Sequence, residues 1–251
     1  MVPGLNSFRE WFKDYKDQYV LIGGAACDVY MESADAAFRA TKDLDIVLIV
    51  EAVTAEFVSH FWEYVKADGY EHMDRSRQKP EFYRFSKPSS RNYPAMLELF
   101  SRPPHNISLE FPANIAPVHI EDASISLSAI LLDDDYYNFL VAGRTSVDDI
   151  SILDYRYIIP FKAKAWLDLS DKRAAGESID SKDVKKHKND VLRLANELTA
   201  GAKMVLPSKI RDDMTEFIER VSKERADMRS LGLRDRSFEE IMLLLKKYYD
   251  L

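Results

Sequence analysis

Residues 19–51 read YVLIGGAACDVYMESADAAFRATKDLDIVLIVE, and this stretch decides which fold we expect for the chain. An apolar run, Tyr19 to Ile22, ends in the pair Gly23-Gly24, and a short segment of helical character follows it. Asp43 and Asp45 then open a second apolar run. The succession of strand, glycine turn, helix and strand predicts an α/β (α+β) fold with a mixed sheet and packed helices.

Asp43 and Asp45 are separated by one residue, so in a strand both side chains project from the same face. Two neighbouring carboxylates repel each other unless a cation lies between them. Oxygen ligands suit a hard divalent ion, and we therefore predict bound Mg²⁺ or Mn²⁺. Such ions accompany nucleoside triphosphates, and Gly23 and Gly24 at the start of a helix are suited to hold phosphates close to the backbone.

A third carboxylate is expected where two ions are held. Glu98 is the candidate, because it interrupts the apolar run AMLELF of residues 95–100, where an ionised side chain is costly unless it is paired or bound to a metal. The alternative is an edge-strand glutamate that faces water, and Glu81 and Glu110 are weaker substitutes. Residues 133–135, three consecutive aspartates, are expected to form a turn and a helix cap.

Arg39 and Thr41 alternate with the acid pair, so a strand that begins early would point all four side chains the same way. Arg39 would then contact phosphate or steady the carboxylates. The alternative is a surface arginine in a loop.

Helical patterns dominate after residue 150, which predicts an α/β domain over residues 1–150 and a helical domain over residues 151–251. Lys162 lies in an apolar stretch, where it either extends its ammonium to water or meets a buried anion. Lys186 and Asp190 share one helix face by their spacing, and the alternative is a charged stripe that faces solvent. The expected helices are 153–169, 181–198, 208–231 and 237–249.

The composition of the chain speaks against several other classes of protein. The net charge of −7 speaks against a protein that coats DNA without sequence preference. Cys27 is the single cysteine, so no internal disulfide is possible and a reducing cytoplasm is the expected compartment. No apolar run approaches about 20 residues, and we expect no membrane partner.

The series Gly-Gly, helix, Arg-x-Thr-x-Asp-x-Asp in residues 23–45 resembles the nucleotidyltransferase superfamily, whose fold is shared with DNA polymerase beta. The resemblance is closest to the AbiEii-type toxin nucleotidyltransferases of bacterial abortive-infection and toxin–antitoxin systems. Those proteins join the α/β catalytic domain to a helical domain with a lysine in one helix and Lys-Asp-x-x-Asp in a later one. Lys162 matches the lysine, and residues 186–190 match the motif, with His187 in place of its first aspartate.

The resemblance implies that a nucleoside monophosphate is transferred from an NTP to a hydroxyl, with release of pyrophosphate. Asp43, Asp45 and Glu98 would be the catalytic and metal-binding carboxylates. The nucleotide-binding residues would be Gly23, Gly24, Arg39, Thr41, Lys162, Lys186 and Asp190.

The expected partners follow from the same resemblance. The acceptor in several relatives is tRNA, and an antitoxin protein is a further expected partner. Two basic groups are candidates for contact with an RNA backbone. They are the cluster Lys182, Lys185, Lys186, Lys188 and Arg193, and the loop with Arg75, Arg77 and Lys79.

Three other interpretations fit parts of the sequence. A small-molecule nucleotidyltransferase of the antibiotic-modifying kind would have an acceptor pocket of acids and aromatics, for which residues 133–139 (DDDYYNF) are the candidates. A non-catalytic relative would bind a nucleotide or a partner without turnover, although all three carboxylates are present. A plain α/β domain would use Asp43 and Asp45 only to cap a strand, and it supplies no compensating cation.

Overall fold

The computed structural model of the chain describes residues 2–33, 38–39, 41–72, 82–101, 130–224 and 226–251. The chain divides into two compact units, residues 1–120 with 141–154 and residues 121–140 with 155–251. The first unit carries the sheet, and the described part of the second unit is helical. The division therefore differs from a single break at residue 150, because the chain enters the second unit before residue 140 and returns to the sheet before residue 154.

A mixed sheet of seven strands, counted within the described residues, forms the centre of the first unit. Its order is β3-β4-β5-β2-β1-β7-β6, in which β2–β5 and β1–β7 are parallel pairs and the other pairs are antiparallel. The strands are β1 Tyr19–Ile22, β2 Asp43–Leu48, β3 Glu71–His72, β4 Phe82–Ser86, β5 Met96–Phe100, β6 Arg144–Val147 and β7 Ile150–Leu153. The predicted fold class, a mixed sheet with helices followed by a helical region, is confirmed.

An aromatic cluster holds the helices α1 (Leu5–Phe12) and α3 (Ala55–Ala67) against β1. The ring centroid of Phe12 lies 5.7 Å from that of Phe57, 5.3 Å from that of Tyr64 and 6.1 Å from that of Tyr19. These rings are almost fully removed from water. Aromatic side chains bury large apolar areas, so this cluster fixes the strand that leads into the glycine pair.

Helix α2 (Gly23–Ser33) begins at the glycine pair itself, so the two glycines form its first turn rather than a turn before it. Seven of its residues are buried, among them Gly24, Ala25, Ala26 and Cys27. Small side chains on this helix allow it to pack closely against the sheet.

The hairpin of β6 and β7 was not predicted from the sequence. Its turn places Asp148 and Asp149 at φ values of 45° and 62°. Asn-Gly and Asp-Gly are the usual signals for a turn with two positive φ angles, and this turn has neither. The partly exposed, polar β6 also lacks the apolar alternation of a strand with one buried face.

Of the four helices predicted after residue 150, three agree with the structure. The third predicted helix ends at Val221 instead of residue 231, because the next three residues, Ser222, Lys223 and Glu224, are polar and exposed and do not extend its apolar face. The last helix begins at Phe238, and its N-cap Ser237 forms a capping box with Glu240. The helices are α4 Asp134–Ala142, α5 Tyr155–Ala174, α6 Ser181–Asn196, α7 Ser208–Val221 and α8 Phe238–Tyr249.

The aspartate run before α4 forms the expected turn and cap. The Oδ1 atom of Asp133 accepts hydrogen bonds from the backbone N–H groups of Asp135 and Tyr136. No helix in the described part of the chain combines the length and the apolar character needed to cross a bilayer.

Candidate functional site

The two aspartates of β2 lie on the same side of the sheet. Asp43 and Asp45 are half-buried, whereas the intervening Leu44 and the following Ile46 are buried. This alternation is the one expected of a strand with a polar and an apolar face. The predicted common orientation of the acid pair is therefore present in the structure.

Gly23 lies directly against the second aspartate. The antiparallel register pairs Ile22, the last residue of β1, with Asp45, so the next residue meets the Asp45 side chain. A Cβ atom on Gly23 would stand 1.9 Å from Oδ2 of Asp45, and the φ angle of Gly23 is +66°. Both the space and the backbone angle therefore require glycine here.

At Gly24, a second position of close approach, the side chains of Arg39 and Thr41 lie near the backbone of α2. A Cβ atom on Gly24 would lie 3.1 Å from Oγ1 of Thr41 and 3.3 Å from Nη2 of Arg39. Both residues precede β2, which begins only at Asp43, so the early strand start suggested by the sequence is wrong. The structure nevertheless brings Arg39 and Thr41 to the first turn of α2. A guanidinium beside the N-terminal turn of a helix is an arrangement that suits an anionic ligand.

Glu98 is in register with Asp45 across the parallel β2–β5 pair, so both side chains belong to the same face of the sheet. Its charge is already compensated by Arg84, the residue opposite it on β4. The Nε atom of Arg84 lies 2.8 Å and the Nη2 atom 2.5 Å from Oε1 of Glu98. Glu98 is thus neither the water-facing residue of the alternative interpretation nor an acid without a protein partner.

The donor set fits one hard divalent ion. Among the described residues, no group of three His, Cys, Asp or Glu side chains is arranged to hold a metal. Mg²⁺ is often bound by one or two carboxylates, with waters and substrate phosphates completing its shell. Asp43 and Asp45 supply two such carboxylates beside a helix start where the backbone approaches closely. Glu81 and Glu110, the weaker candidates for a third ligand, lie outside the described residues.

In the second unit, the structure brings together two other predicted site residues. The Nζ atom of Lys162 on α5 lies 3.3 Å from Oδ2 of Asp190 on α6, and the two side chains are 9% and 0% exposed. Nη1 of Arg193 lies 3.7 Å from the other carboxylate oxygen. Of the two environments predicted for the Lys162 ammonium, the structure shows the buried anion, which is Asp190. Lys186, in contrast, is exposed on α6 although its spacing places it near Asp190.

The neighbouring lysine of α5 also meets carboxylates. Nζ of Lys164 lies 3.3 Å from Asp168 and 3.1 Å from Asp213. Burial alone would lower the pKa of Lys164, but these two carboxylates outweigh it, and the pKa rises above its usual value. The ammonium of Lys164 is therefore paired with carboxylates of this unit.

The basic cluster of α6 is only partly available to an outside ligand. Lys182 and Lys185 are exposed, like Lys186, but Lys188 is buried and forms an ion pair with Glu224. Arg173 and Lys185 line a cavity of about 430 Å³ between α5 and α6. Within the described part of the chain, neither of these two cations has a carboxylate partner. The other basic loop, with Arg75, Arg77 and Lys79, lies outside the described residues.

The aromatic residues proposed for a small-molecule pocket are core residues instead. Tyr136 and Tyr137 are each 1% exposed and Phe139 is 6% exposed. The hydroxyl of Tyr136 donates a hydrogen bond to Asp213 at 2.9 Å. Within the described structure, the run DDDYYNF therefore caps α4 with Asp133 and places its aromatic side chains in the core.

Sequence reasoning missed Arg84 and Glu224, the partners of two charged residues that it singled out. Arg84 interrupts the aromatic run FYRFS of β4, which is a signal of an unusual environment. Its partner, however, follows only from the register of β4 against β5. The same holds for Glu224, which pairs with a lysine 36 positions earlier in the chain.

No protein-family model matches the chain, and no curated protein is significantly similar to it. Among solved structures, the chain is similar to an antigenic nucleotidyltransferase-like protein from Paracoccidioides brasiliensis. The sequence identity is 13% and the TM-score is 0.49, over 99% of this chain and 95% of that chain. Similarity at this level assigns no activity to the chain, so its function has to be inferred from the site residues.

Gly23→Ala tests the close approach to Asp45, and Gly176→Ala is its matched control. Gly176 has a φ of +90° but no described atom within 4 Å of an added Cβ. Both changes incur about 1–2 kcal/mol of backbone strain. Gly23→Ala should lose about 1–3 kcal/mol more, because the methyl group must displace the Asp45 carboxylate. Urea unfolding followed by circular dichroism measures the difference, and equal losses in the two variants would show that Gly23 and Asp45 are not in contact.

Proposed function

We propose that this chain is a metal-dependent nucleotidyltransferase that moves a nucleoside monophosphate from an NTP to a hydroxyl group and releases pyrophosphate. The observation that carries the proposal is the placement of Asp43 and Asp45 on one face of β2, with the first turn of α2 packed against Asp45. A carboxylate pair for a divalent ion and a glycine turn for phosphates are the two parts that this reaction needs side by side.

Asp43 and Asp45 would hold Mg²⁺ or Mn²⁺, which would neutralise charge on the triphosphate during transfer. The backbone N–H groups at the start of α2 would face the phosphates, since no Cβ at Gly23 or Gly24 prevents a close approach. Arg39 would add a positive charge beside the same turn, and Thr41 would contribute a hydroxyl. The acceptor oxygen forms a bond to the α-phosphorus, the bond to pyrophosphate breaks, and the hydroxyl proton passes to a base.

Glu98, in register with Asp45, stays the predicted third carboxylate in our proposal, and its charge is compensated by the neighbouring strand β4 in the structure. The nucleotide contacts that the resemblance assigns to Lys162, Lys186 and Asp190 stay predictions. The ion pair of Lys162 with Asp190 supports a role of these two residues in shaping the second unit. Their mutual neutralisation lets both charges remain buried.

We favour RNA, in particular tRNA, over a small molecule as the acceptor. The exposed Lys182 and Lys185, with Arg173 at the adjoining cavity, offer positive charge that the described carboxylates do not neutralise. The burial of Tyr136, Tyr137 and Phe139 speaks against these residues as the lining of a pocket for a small acceptor. A toxin role and an antitoxin partner follow from the AbiEii-type resemblance, and a cytoplasmic location follows from the single cysteine; all three stay predictions.

Replacing Asp43 and Asp45 together by asparagine should reduce NTP-dependent nucleotide transfer by at least about a thousandfold, because the ion then has no anionic ligands. The assay follows transfer from labelled NTPs to total tRNA or to an aminoglycoside panel. Asp14→Asn with Asp17→Asn is the matched control, since both are exposed acids of the same unit. Wild-type turnover in the Asp43/Asp45 variant would exclude the catalytic proposal. NTP binding without turnover on any acceptor would instead favour the non-catalytic relative.

Lys182→Ala with Lys185→Ala should weaken tRNA binding and reduce the slope of log K against log salt by about 1–2. Lys188 is left unchanged because its ammonium is buried against Glu224. Lys246→Ala with Lys247→Ala removes the same charge from an exposed part of α8 and is the control. Fluorescence anisotropy of labelled tRNA gives both quantities. Identical salt slopes in the two double variants would rule out α6 as the RNA-binding surface.

A further inference from the structure

Arg84 forms an ion pair with Glu98, the third carboxylate of the proposed site. Its two hydrogen bonds to Glu98 end on the same carboxylate oxygen, from Nε at 2.8 Å and from Nη2 at 2.5 Å. The pair is largely shielded from water, with side-chain exposures of 22% for Arg84 and 11% for Glu98. Hydrogen bonds between charged groups in such a setting are among the strongest that side chains form.

The position of this pair distinguishes it from an ordinary ion pair of a sheet. Glu98 lies between Asp45 on β2 and Arg84 on β4, in register with both. Arg84 therefore supplies positive charge at the edge of a group of carboxylates that would otherwise repel one another. An additional divalent ion bound at Glu98 would have to displace this guanidinium or bind beside it, and either event weakens its binding.

We infer that Arg84 is a positioning residue that holds Glu98 away from metal ligation, so that the site without nucleotide binds a single ion, on Asp43 and Asp45. This inference rests on the proposed function, which supplies the metal-binding role of the two aspartates. A second ion binds at Glu98 only after the hydrogen bonds between Arg84 and Glu98 are broken. Arg84 thus sets the number of ions in the site without touching either ion.

The test counts Mn²⁺ ions bound to the folded protein in the absence of nucleotide, from the decrease of the free Mn²⁺ signal in electron paramagnetic resonance. The wild type should bind one ion and Arg84→Met two. Arg84→Lys keeps a cation beside Glu98 and should restore a single ion. Arg91→Met, which removes an exposed arginine from the turn before β5, is the control and should also bind one ion.

Glu98→Gln provides a second measurement that does not depend on the folding of Arg84→Met. Because Glu98 is not a ligand of the first ion, this variant should bind one ion within about twofold of the wild-type affinity. An affinity loss of tenfold or more, the usual effect of losing a group that supports a metal, would overturn the inference. Two ions on the wild type, or one ion on Arg84→Met, would overturn it as well.

The outcomes separate this inference from the proposed function. If the wild type binds one ion and Asp43→Asn with Asp45→Asn binds none, the metal site of the proposed function stands whatever Arg84→Met does. If the wild type binds no ion, or if the double aspartate variant still binds one, the proposed function fails and the inference fails with it.

Discussion

The contact between the start of α2 and the carboxylate of Asp45 is the constraint on which the proposed site depends. Ile22 pairs with Asp45 in the sheet, so the residue after Ile22 has to lie against that carboxylate. Glycine alone fits, since a Cβ at position 23 would stand 1.9 Å from Oδ2. The aromatic cluster behind β1 fixes the strand, and the strand fixes the helix start. A helix that begins against a carboxylate is suited to receive a cation on that carboxylate together with an anion at its first turn.

Charges inside both units are compensated by partners that come from distant parts of the chain. Glu98 is held by Arg84 from the neighbouring strand, and the fully buried Asp190 is held by Lys162 and Arg193. Each pair lets an ionised group remain in a largely dry environment, where a single charge would be strongly unfavourable. In the sheet this compensation lies beside the aspartate pair, which links the stability of the fold to the charge of the proposed metal site.

The sequence predicts the local parts of this arrangement well. The strand β1, the helix that follows it and the common orientation of Asp43 and Asp45 depend on alternation and on glycine, which are properties of neighbouring residues. The sequence leaves two environments open for Lys162, water or a buried anion, and the structure shows the anion. The identity of that anion cannot be predicted from the sequence, because it depends on how α5 packs against α6. For the same reason Glu98 is recognisable as unusual, whereas its partner Arg84 follows only from strand register.

The most direct measurement is a crystal structure of the protein grown with Mn²⁺ and a non-hydrolysable NTP, with the metal located by its anomalous scattering. The expected result is an ion about 2.1–2.2 Å from carboxylate oxygens of both Asp43 and Asp45, with the phosphates against the N–H groups at the start of α2. Anomalous signal at any other place, with the two aspartates bonded only to protein groups, would contradict the metal site and the function built on it.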